Sequence, residues 1–460
     1  NDVGTATNYN WGADNNKYIN GSSQGASGYT VYGSGDVVGL ALNVDANTLQ
    51  FYRNGSATFS FSSLPAKTWF PWLHINGFSF TCNFGQRQFA YTAPSGFKAL
   101  CTTNLPAPLV TKPNTVMDVK LYTGNGSTQT ISGLSFSPDF VWLKCRSSTP
   151  YHRLYDQIRG VTKALYSNST DAEGAYQTTY ENFTSFNSDG FSLGTTTIDN
   201  GINGNGQTFA AWCWDAGTST VTNTQGSITS TVRANATAGF SVVTYTGTGS
   251  AATVGHGLGA APGMILIKGR TSTSDWPVFH SGLGSQTNDV IVLNSTGAKQ
   301  TITNYWNGGV SSTVFGVLNG TWAHNTNGVN YVAYCFAPVV GYSSMGSYVG
   351  NGSSDGPFVY TGFRPRWVLL KLSSSSGGDW ALYDTARGPY NLNTPKISPD
   401  SSAIEDDTTL WGGSPSSYGL DFLSNGFKLR NTAGGSHNGS GFTYIYAAFA
   451  ESPFNYARAR

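Results

Sequence analysis

The residues that could do chemistry in this chain are few and scattered. Its histidines, His74, His152, His256, His280, His324 and His437, occur one at a time, and no H-E-x-x-H is present. A catalytic zinc needs His and Cys clustered at ligand spacing, so none is expected. Gly21-Ser22-Ser23-Gln24-Gly25 fits G-x-S-x-G. A nucleophile elbow needs a strand before it and a helix after it, however, and the residues around it predict a turn. No G-x-x-x-x-G-K-S/T occurs, so no phosphate-cradling loop is expected. Oxygen side chains alternate at Asn43, Asp45 and Asn47, and again from Asp199 to Asn205. Both stretches are candidates for calcium and equally for plain hairpin turns, and the second lacks a terminal bidentate acid. Beyond calcium, no cofactor is expected.

Acids are also sparse. The glutamates are Glu173, Glu181, Glu405 and Glu451. The densest acidic run, Glu405-Asp406-Asp407, lies in a Pro/Ser-rich stretch and reads as a solvated loop or a cation contact. Asp156 and Asp384 each stand three residues before an arginine, Arg159 and Arg387. A repeated Asp/Arg pair of this kind reads as a salt bridge or turn cap. Carbohydrate binding asks for different residues: aromatic faces that stack on sugar rings and amides that read hydroxyls. The chain has 12 Trp, 25 Tyr and many loop asparagines. The aromatics without an obvious strand role are Trp11, Trp306, Trp322, Trp411 and Tyr418. They are candidates for a sugar platform, a subunit interface or simple packing.

The elements that position these residues follow from composition. Charged residues make up 11% of the 460-residue chain and the formal net charge is +1, where soluble domains average about 25% charged. Long helices built on Glu, Lys and Arg are therefore excluded, and no basic face exists to neutralise phosphates. With 39% hydrophobic and 14% aromatic residues the chain can bury a core, which argues against disorder. Abundant Gly and aromatic residues predict an all-β protein with many turns. No apolar run is long enough to cross a membrane as a helix. Five widely spaced cysteines, an odd number without C-x-x-C, predict no disulfide framework and a reducing compartment for assembly. The chain opens Asn1-Asp2-Val3 with no initiator Met, so residue 1 is not expected to be the biological start.

Three segments repeat the same landmarks in one order. A Tyr/Gly motif appears as LYTGNGS (121–127), TYTGTGS (244–250) and SYVGNGS (347–353). An apolar strand closed by lysine follows at 138–144, 262–268 and 365–371, and an aromatic strand at 209–216, 331–338 and 444–451. Tyr122, Tyr245 and Tyr348 keep the same offsets as Lys144, Lys268 and Lys371 to within one residue. The period within each unit is two, which predicts strands. Asn-Gly and Asp-Gly pairs, among them those starting at Asp189, Asn203, Asn425 and Asn438, predict tight turns with positive φ. The expected architecture is all-β, tandem antiparallel β-sandwich domains of concanavalin or jelly-roll type. Their expected ranges are residues 1–109, 110–220, 221–340 and 341–460, with Leu105-Pro106-Ala107-Pro108 as a stiff linker.

The first domain resembles the SPRY family of concanavalin-like sandwiches. The alternating hairpin in Gly35–Gly55, WFPWLHI (69–75) and TCNFGQRQF (81–89) carry the likeness. The domain's residues predict further strands at 69–75, 78–85 and 89–94, and the resemblance implies an incomplete start. The three repeats resemble an uncharacterised module of tailed-bacteriophage virion proteins, through Pro138–Arg146, Asp156–Gly160, Ser188–Leu193 and Phe209–Trp214. The ending FAESPFNYARAR (449–460) is similar to the terminus of such proteins. This implies a structural protein on the virion exterior, assembled in the bacterial cytoplasm. The expected role is a tail fibre, spike or appendage that adheres to host-surface glycan. Expected partners are other virion proteins and, by analogy with fibres, a homo-oligomer such as a trimer; nucleic acid and membrane insertion are not expected. A capsid or tail decoration protein is the alternative, and a polysaccharide depolymerase the second. Hydrolysis needs paired carboxylates about 5–10 Å apart. The E-x-D-x-x-E strand of concanavalin-like glucanases is missing, so no catalytic residue is assigned and no enzyme is expected.

Overall fold

The computed structural model describes residues 8–453 apart from 66–68, 70, 72, 74–78, 102–103, 105–106, 175–181, 196–200, 321, 407–418 and 432–436. The described residues form antiparallel sheets and short 3-10 turns, with no α-helix among them. The chain divides into two compact units, Asn1–Leu105 and Pro106–Arg460.

The first unit has two three-stranded sheets. One contains β1 (Tyr9–Trp11), β2 (Asn16–Ile19) and β3 (Ser22–Ala26); the other contains β4 (Val38–Asn43), β5 (Thr48–Arg53) and β6 (Ser56–Phe61). Asn54 and Gly55 link β5 to β6 with φ of 49° and 80°, the left-handed pair a two-residue hairpin requires. Trp11, Leu49, Phe51, Phe59, Phe61 and Leu64 form the core. The expected strand at 69–75 lies mostly outside the described residues, and the described residues of the strands expected at 78–85 and 89–94 belong to no sheet. Phe80, Phe84, Phe89 and Tyr91 are exposed there. Alternating aromatics make a strand only where a neighbouring strand takes up the backbone hydrogen bonds.

The second unit holds the three repeats. The first module contains β7 (Met117–Thr123), β8 (Gln129–Ile131), β9 (Phe140–Cys145), β10 (Arg153–Asp156), β11 (Phe183–Asn187), β12 (Gly190–Leu193) and β13 (Thr208–Trp214). The second contains β14 (Thr220–Asn223), β15 (Ser230–Asn235), β16 (Phe240–Thr246), β17 (Ala252–Gly255), β18 (Met264–Gly269), β19 (Pro277–His280), β20 (Asp289–Val292), β21 (Gln300–Thr301), β22 (Val314–Val317) and β23 (Asn330–Phe336). The third contains β24 (Ser343–Val349), β25 (Phe358–Tyr360), β26 (Phe363–Leu372), β27 (Ala381–Asp384), β28 (Leu420–Leu423), β29 (Gly426–Leu429) and β30 (Thr443–Pro453).

The three repeats share one strand order. The main sheets read β10-β9-β13-β7, β19-β18-β23-β16 and β27-β26-β30-β24; in the second module β14-β15 and β20-β21 extend the two ends. A smaller sheet packs over each: β11-β12-β8, β17-β22 and β28-β29-β25. Each module is thus an antiparallel sandwich. Alternation along β9 and β13 sends Val141, Leu143, Ala211 and Cys213 into the first sandwich and Phe140, Trp142, Trp212 and Trp214 out of its back. That back is buried too, against the other two modules. Both faces being covered explains why these strands are apolar throughout. The backs meet at the equivalent residues Trp214, Phe336 and Phe449, whose ring centroids lie 5.9, 5.7 and 5.7 Å apart. This aromatic triangle marks a pseudo-threefold axis inside one chain. Burying each ring contributes about 1.5–3 kcal/mol.

Glycines of the repeated motifs stand where a neighbouring backbone needs the space. A Cβ on Gly124, Gly247 or Gly350 would lie 2.2–2.3 Å from the carbonyl oxygen of Gly204, Thr326 or Gly439. Gly190 and Gly426 are not in the left-handed region expected of them. The two-residue turns are Ser188-Asp189 and Ser424-Asn425. The glycines come next and leave room for the carbonyls of Ile131 and Val359, which would be 1.8 and 2.1 Å from a Cβ.

Candidate functional site

Most of the chain's buried charge lies where the three modules join, and it does so in a cyclic pattern. Lys144, Lys268 and Lys371 occupy equivalent positions on the central strands and are fully buried. Each ammonium donates to a carbonyl of the preceding module in the cycle: Ser402 at 2.9 Å, Thr170 at 2.9 Å and Ser295 at 3.2 Å respectively. Burial pulls all three down to about 8. The next strand repeats the pattern with ring nitrogens. Trp276 donates to the Tyr166 carbonyl at 2.8 Å and Trp380 to that of Val292 at 3.0 Å, while His152 stands in the third position, its Nε2 3.1 Å from the Ser398 carbonyl. Trp142 donates to His152 Nδ1 at 3.0 Å, which leaves the proton of the neutral ring on Nε2, facing that carbonyl.

The repeated Asp/Arg pairs are salt bridges with no exposed side-chain surface, at 2.5 Å for Asp156–Arg159 and 2.6 Å for Asp384–Arg387. Each aspartate also accepts a bond from the next module: Tyr334 donates to Asp156 at 2.8 Å, and Trp212 to Asp384 at 2.9 Å. Burial pushes the Asp384 carboxyl up, but the Arg387 charge and the bonds from Arg387 and Trp212 outweigh it and hold it below the usual range. At the remaining joint both partners change together. His280 replaces the aspartate and Ala447 the donor ring, and His280 Nε2 reaches the Tyr446 carbonyl at 3.0 Å.

Glu405 takes the cation contact, one of the two readings its acidic run offered. Rather than lying in a solvated loop, its carboxylate binds Arg146 of the first module at 2.6 Å and Arg387 of its own at 2.9 Å. Glu173 does the same with Arg270 at 2.6 Å and Arg159 at 3.4 Å. Acids spaced like solvated residues in sequence become clamps because the third dimension brings arginines of two modules to them. Asp406 faces Lys396, and Asp407 lies outside the described residues.

Of the five candidate aromatics, the three among the described residues take the packing role. Trp11 is core to the first unit, 6% exposed, with Tyr32 and Phe59 edge-on at 5.2 and 5.3 Å. Trp306 is 0% exposed and donates to the Asp289 carbonyl; it offers no surface to a ligand. Trp322 packs on the second module's own core, and its carbonyl accepts from Tyr305 at 2.6 Å. Trp411 and Tyr418 lie outside the described residues. The calcium candidates form turns: Asn43 Oδ1 accepts from the Ala46 amide at 2.8 Å. Asn203 Oδ1 accepts from Gln129 and the Asn125 amide. Asp199 and Asn200 lie outside the described residues, among which no three His, Cys, Asp or Glu side chains come together as a metal group.

Two further surface features stand out among the described residues of the three modules. A cleft of about 350 Å³ between the first and third modules is lined by Asn114, Met117, Asp118, Arg366, Ala450 and Glu451. Its charges are paired, Arg366 with Asp118 at 2.8 Å and with Glu451 at 3.8 Å. The second feature is the outer face of the small sheet β25-β29-β28, where Phe358 and Tyr360 are 45% and 54% exposed. Sequence reasoning passed over this pair by taking strand aromatics as core. The signal was present in the alternation Phe358-Val359-Tyr360, because successive strand residues face opposite sides: buried Val359 places its neighbours outward.

A family model described as a domain of unknown function, DUF7483, matches residues 112–453. No curated protein and no solved structure matches the chain. The matched span runs from just before β7 to the end of β30, and across the three modules the chain belongs to the DUF7483 family.

Proposed function

We propose that this chain is a structural protein of a tailed-phage virion, a fibre, spike or other appendage component on the particle exterior that adheres to host-surface carbohydrate without catalysing a reaction. The observation that carries this reading is the use made of buried charge. Lys144, Lys268, Lys371, Asp156, Asp384, Glu173 and Glu405 each bond across a module boundary or brace a residue that does. Charges held by salt bridges and carbonyls in this way stiffen a scaffold and are not poised to transfer protons to a substrate. Three sandwiches about one axis also give a single chain the threefold geometry that fibres commonly obtain from three subunits. A rigid β scaffold carrying surface loops suits adhesion.

Gold-labelled antibody against residues 110–453, applied to intact particles, tests the location. Label confined to appendages at low copy number is expected. Dense label over the capsid would transfer the protein to the decoration role, and absence from the particle would overturn the reading. Incubation with host capsule or lipopolysaccharide should release no new reducing ends; release would identify a depolymerase.

A further inference from the structure

We infer that the outer face of β25-β29-β28 is a binding platform for a neutral pyranose oligosaccharide, with Phe358 and Tyr360 as its stacking residues; this rests on the adhesive reading above and gives it a place. The internal repeat supplies the comparison. The first module has the same three strands, with Gly190-Phe191-Ser192-Leu193 matching Gly426-Phe427-Lys428-Leu429. Register places Thr130 opposite Ser192 as it places Phe358 opposite Lys428. Ser132 then corresponds to Tyr360. The first module therefore shows what this face needs in order to fold: two small hydroxyl residues, both exposed, with Thr130 Oγ1 3.1 Å from Ser192 Oγ. Large aromatics in their place add nothing to the sandwich core, since Val359 fills the inward position as Ile131 does. Exposed apolar side chains grouped on one face mark a binding surface more often than scattered ones do.

The face is shaped for a flat, partly apolar ligand. Phe358 and Tyr360 project from alternate positions of one strand, about 7 Å apart. Gly426, opposite Tyr360, has no side chain to rise between them, and the Phe358 ring reaches to 3.0 Å from where its Cβ would stand. Beside the rings runs a ladder of paired charges. Lys428 meets Asp355 at 2.6 Å, and Arg430 meets Asp421 at 2.8 Å and Asp355 at 3.7 Å. Two cations and two carboxylates cancel, so the border offers both donors and acceptors to hydroxyls without a net charge to attract an ionic ligand. The C–H face of a pyranose lies against the negative face of an aromatic ring, and its hydroxyls meet the ladder.

The test compares the intact chain with a Phe358→Thr/Tyr360→Ser variant, which installs the first module's residues and so keeps a face already known to fold. Both are titrated with maltohexaose, cellohexaose, dextran and a linear galactan, and with alginate and hyaluronan as acidic probes. The expected result is retention of at least one neutral glycan by the wild type, unchanged between 0.05 and 0.5 M salt because a neutral ligand is not screened, and a loss of about tenfold or more in the variant. Equal binding by both proteins would overturn this platform and leave the adhesive reading standing. Retention of acidic glycans alone would overturn the ligand class. No glycan bound by the wild type would overturn both. A wild-type dimer that dissociates in the variant would assign the face to a second copy and overturn the inference.

Discussion

Trp212 and Asp384 lie 172 residues apart in sequence, in different modules, and share a fully buried hydrogen bond of 2.9 Å. The same aspartate holds Arg387, whose guanidinium lies 5.6 Å from the centre of the Trp212 ring. One indole thus braces a buried ion pair from both its polar edge and its face. Tyr334 plays the equivalent part for Asp156 and Arg159 at 2.8 and 2.9 Å.

Trp212→Phe keeps an aromatic ring and removes the donor. Leaving a buried carboxylate short of one bond costs about 1–3 kcal/mol, and urea denaturation should report a loss of that size. Tyr334→Phe should cost a similar amount at its own joint. A loss below about 0.5 kcal/mol in both would mean that these bonds do not hold the modules together.

Glu405→Gln distinguishes a clamp from a solvated loop residue. Exposed substitutions usually fall within about 0.5 kcal/mol of neutral. Removing one charge from a largely buried network leaves Arg146 and Arg387 undercompensated, for a loss of roughly 2–4 kcal/mol. The melting temperature of the variant should fall clearly below that of the wild type.

Gly190→Ala tests the close approach of β8 to β12. At Gly206, with φ of 74° and no neighbour near a Cβ, alanine should cost only about 1 kcal/mol of backbone strain. At Gly190 the new carbon would meet the Ile131 carbonyl at 1.8 Å, so the small sheet must part, and the loss should be several times larger. Equal losses at the two sites would contradict the stated geometry.

Acid should destabilise the protein. Burial holds His280 down to about 4, His324 and His437 to about 3, and His152 well below its usual value. Between about pH 6.5 and 4 the unfolded chain therefore takes up protons that the folded chain refuses. Stability from these groups is complete above 6.5 and is lost as pH falls through that window, each proton adding about 1.4 kcal/mol per pH unit to the slope. Asp139 and Asp400, which burial pushes up to about 7, act in the opposite sense. Burial lowers His256 as well, and five histidines outnumber two carboxyls, so the net slope is positive. Chemical denaturation at several pH values should show it, and His280→Gln should flatten it by about one proton.

The repeat was legible because Tyr122, Lys144 and their equivalents are placed by strand geometry, which sequence spacing records directly. The sandwich class followed from the same alternation. The joints were not legible, since Glu405 meets Arg146 only when loop segments 259 residues apart are brought together. Trp306 lies outside any strand, and its indole donates to the Asp289 carbonyl inside the core, the packing role its sequence position left open beside binding. Phe358 and Tyr360 were missed as strand residues on the side that faces solvent.

The central claim is that buried polar joints make the three modules one structural body. Scanning calorimetry of the intact chain tests it most directly. The account predicts that the second unit unfolds in a single transition whose calorimetric and van't Hoff enthalpies agree, and that Trp212→Phe lowers its temperature without dividing it. Three separate transitions for the three modules in the wild-type chain would contradict the account.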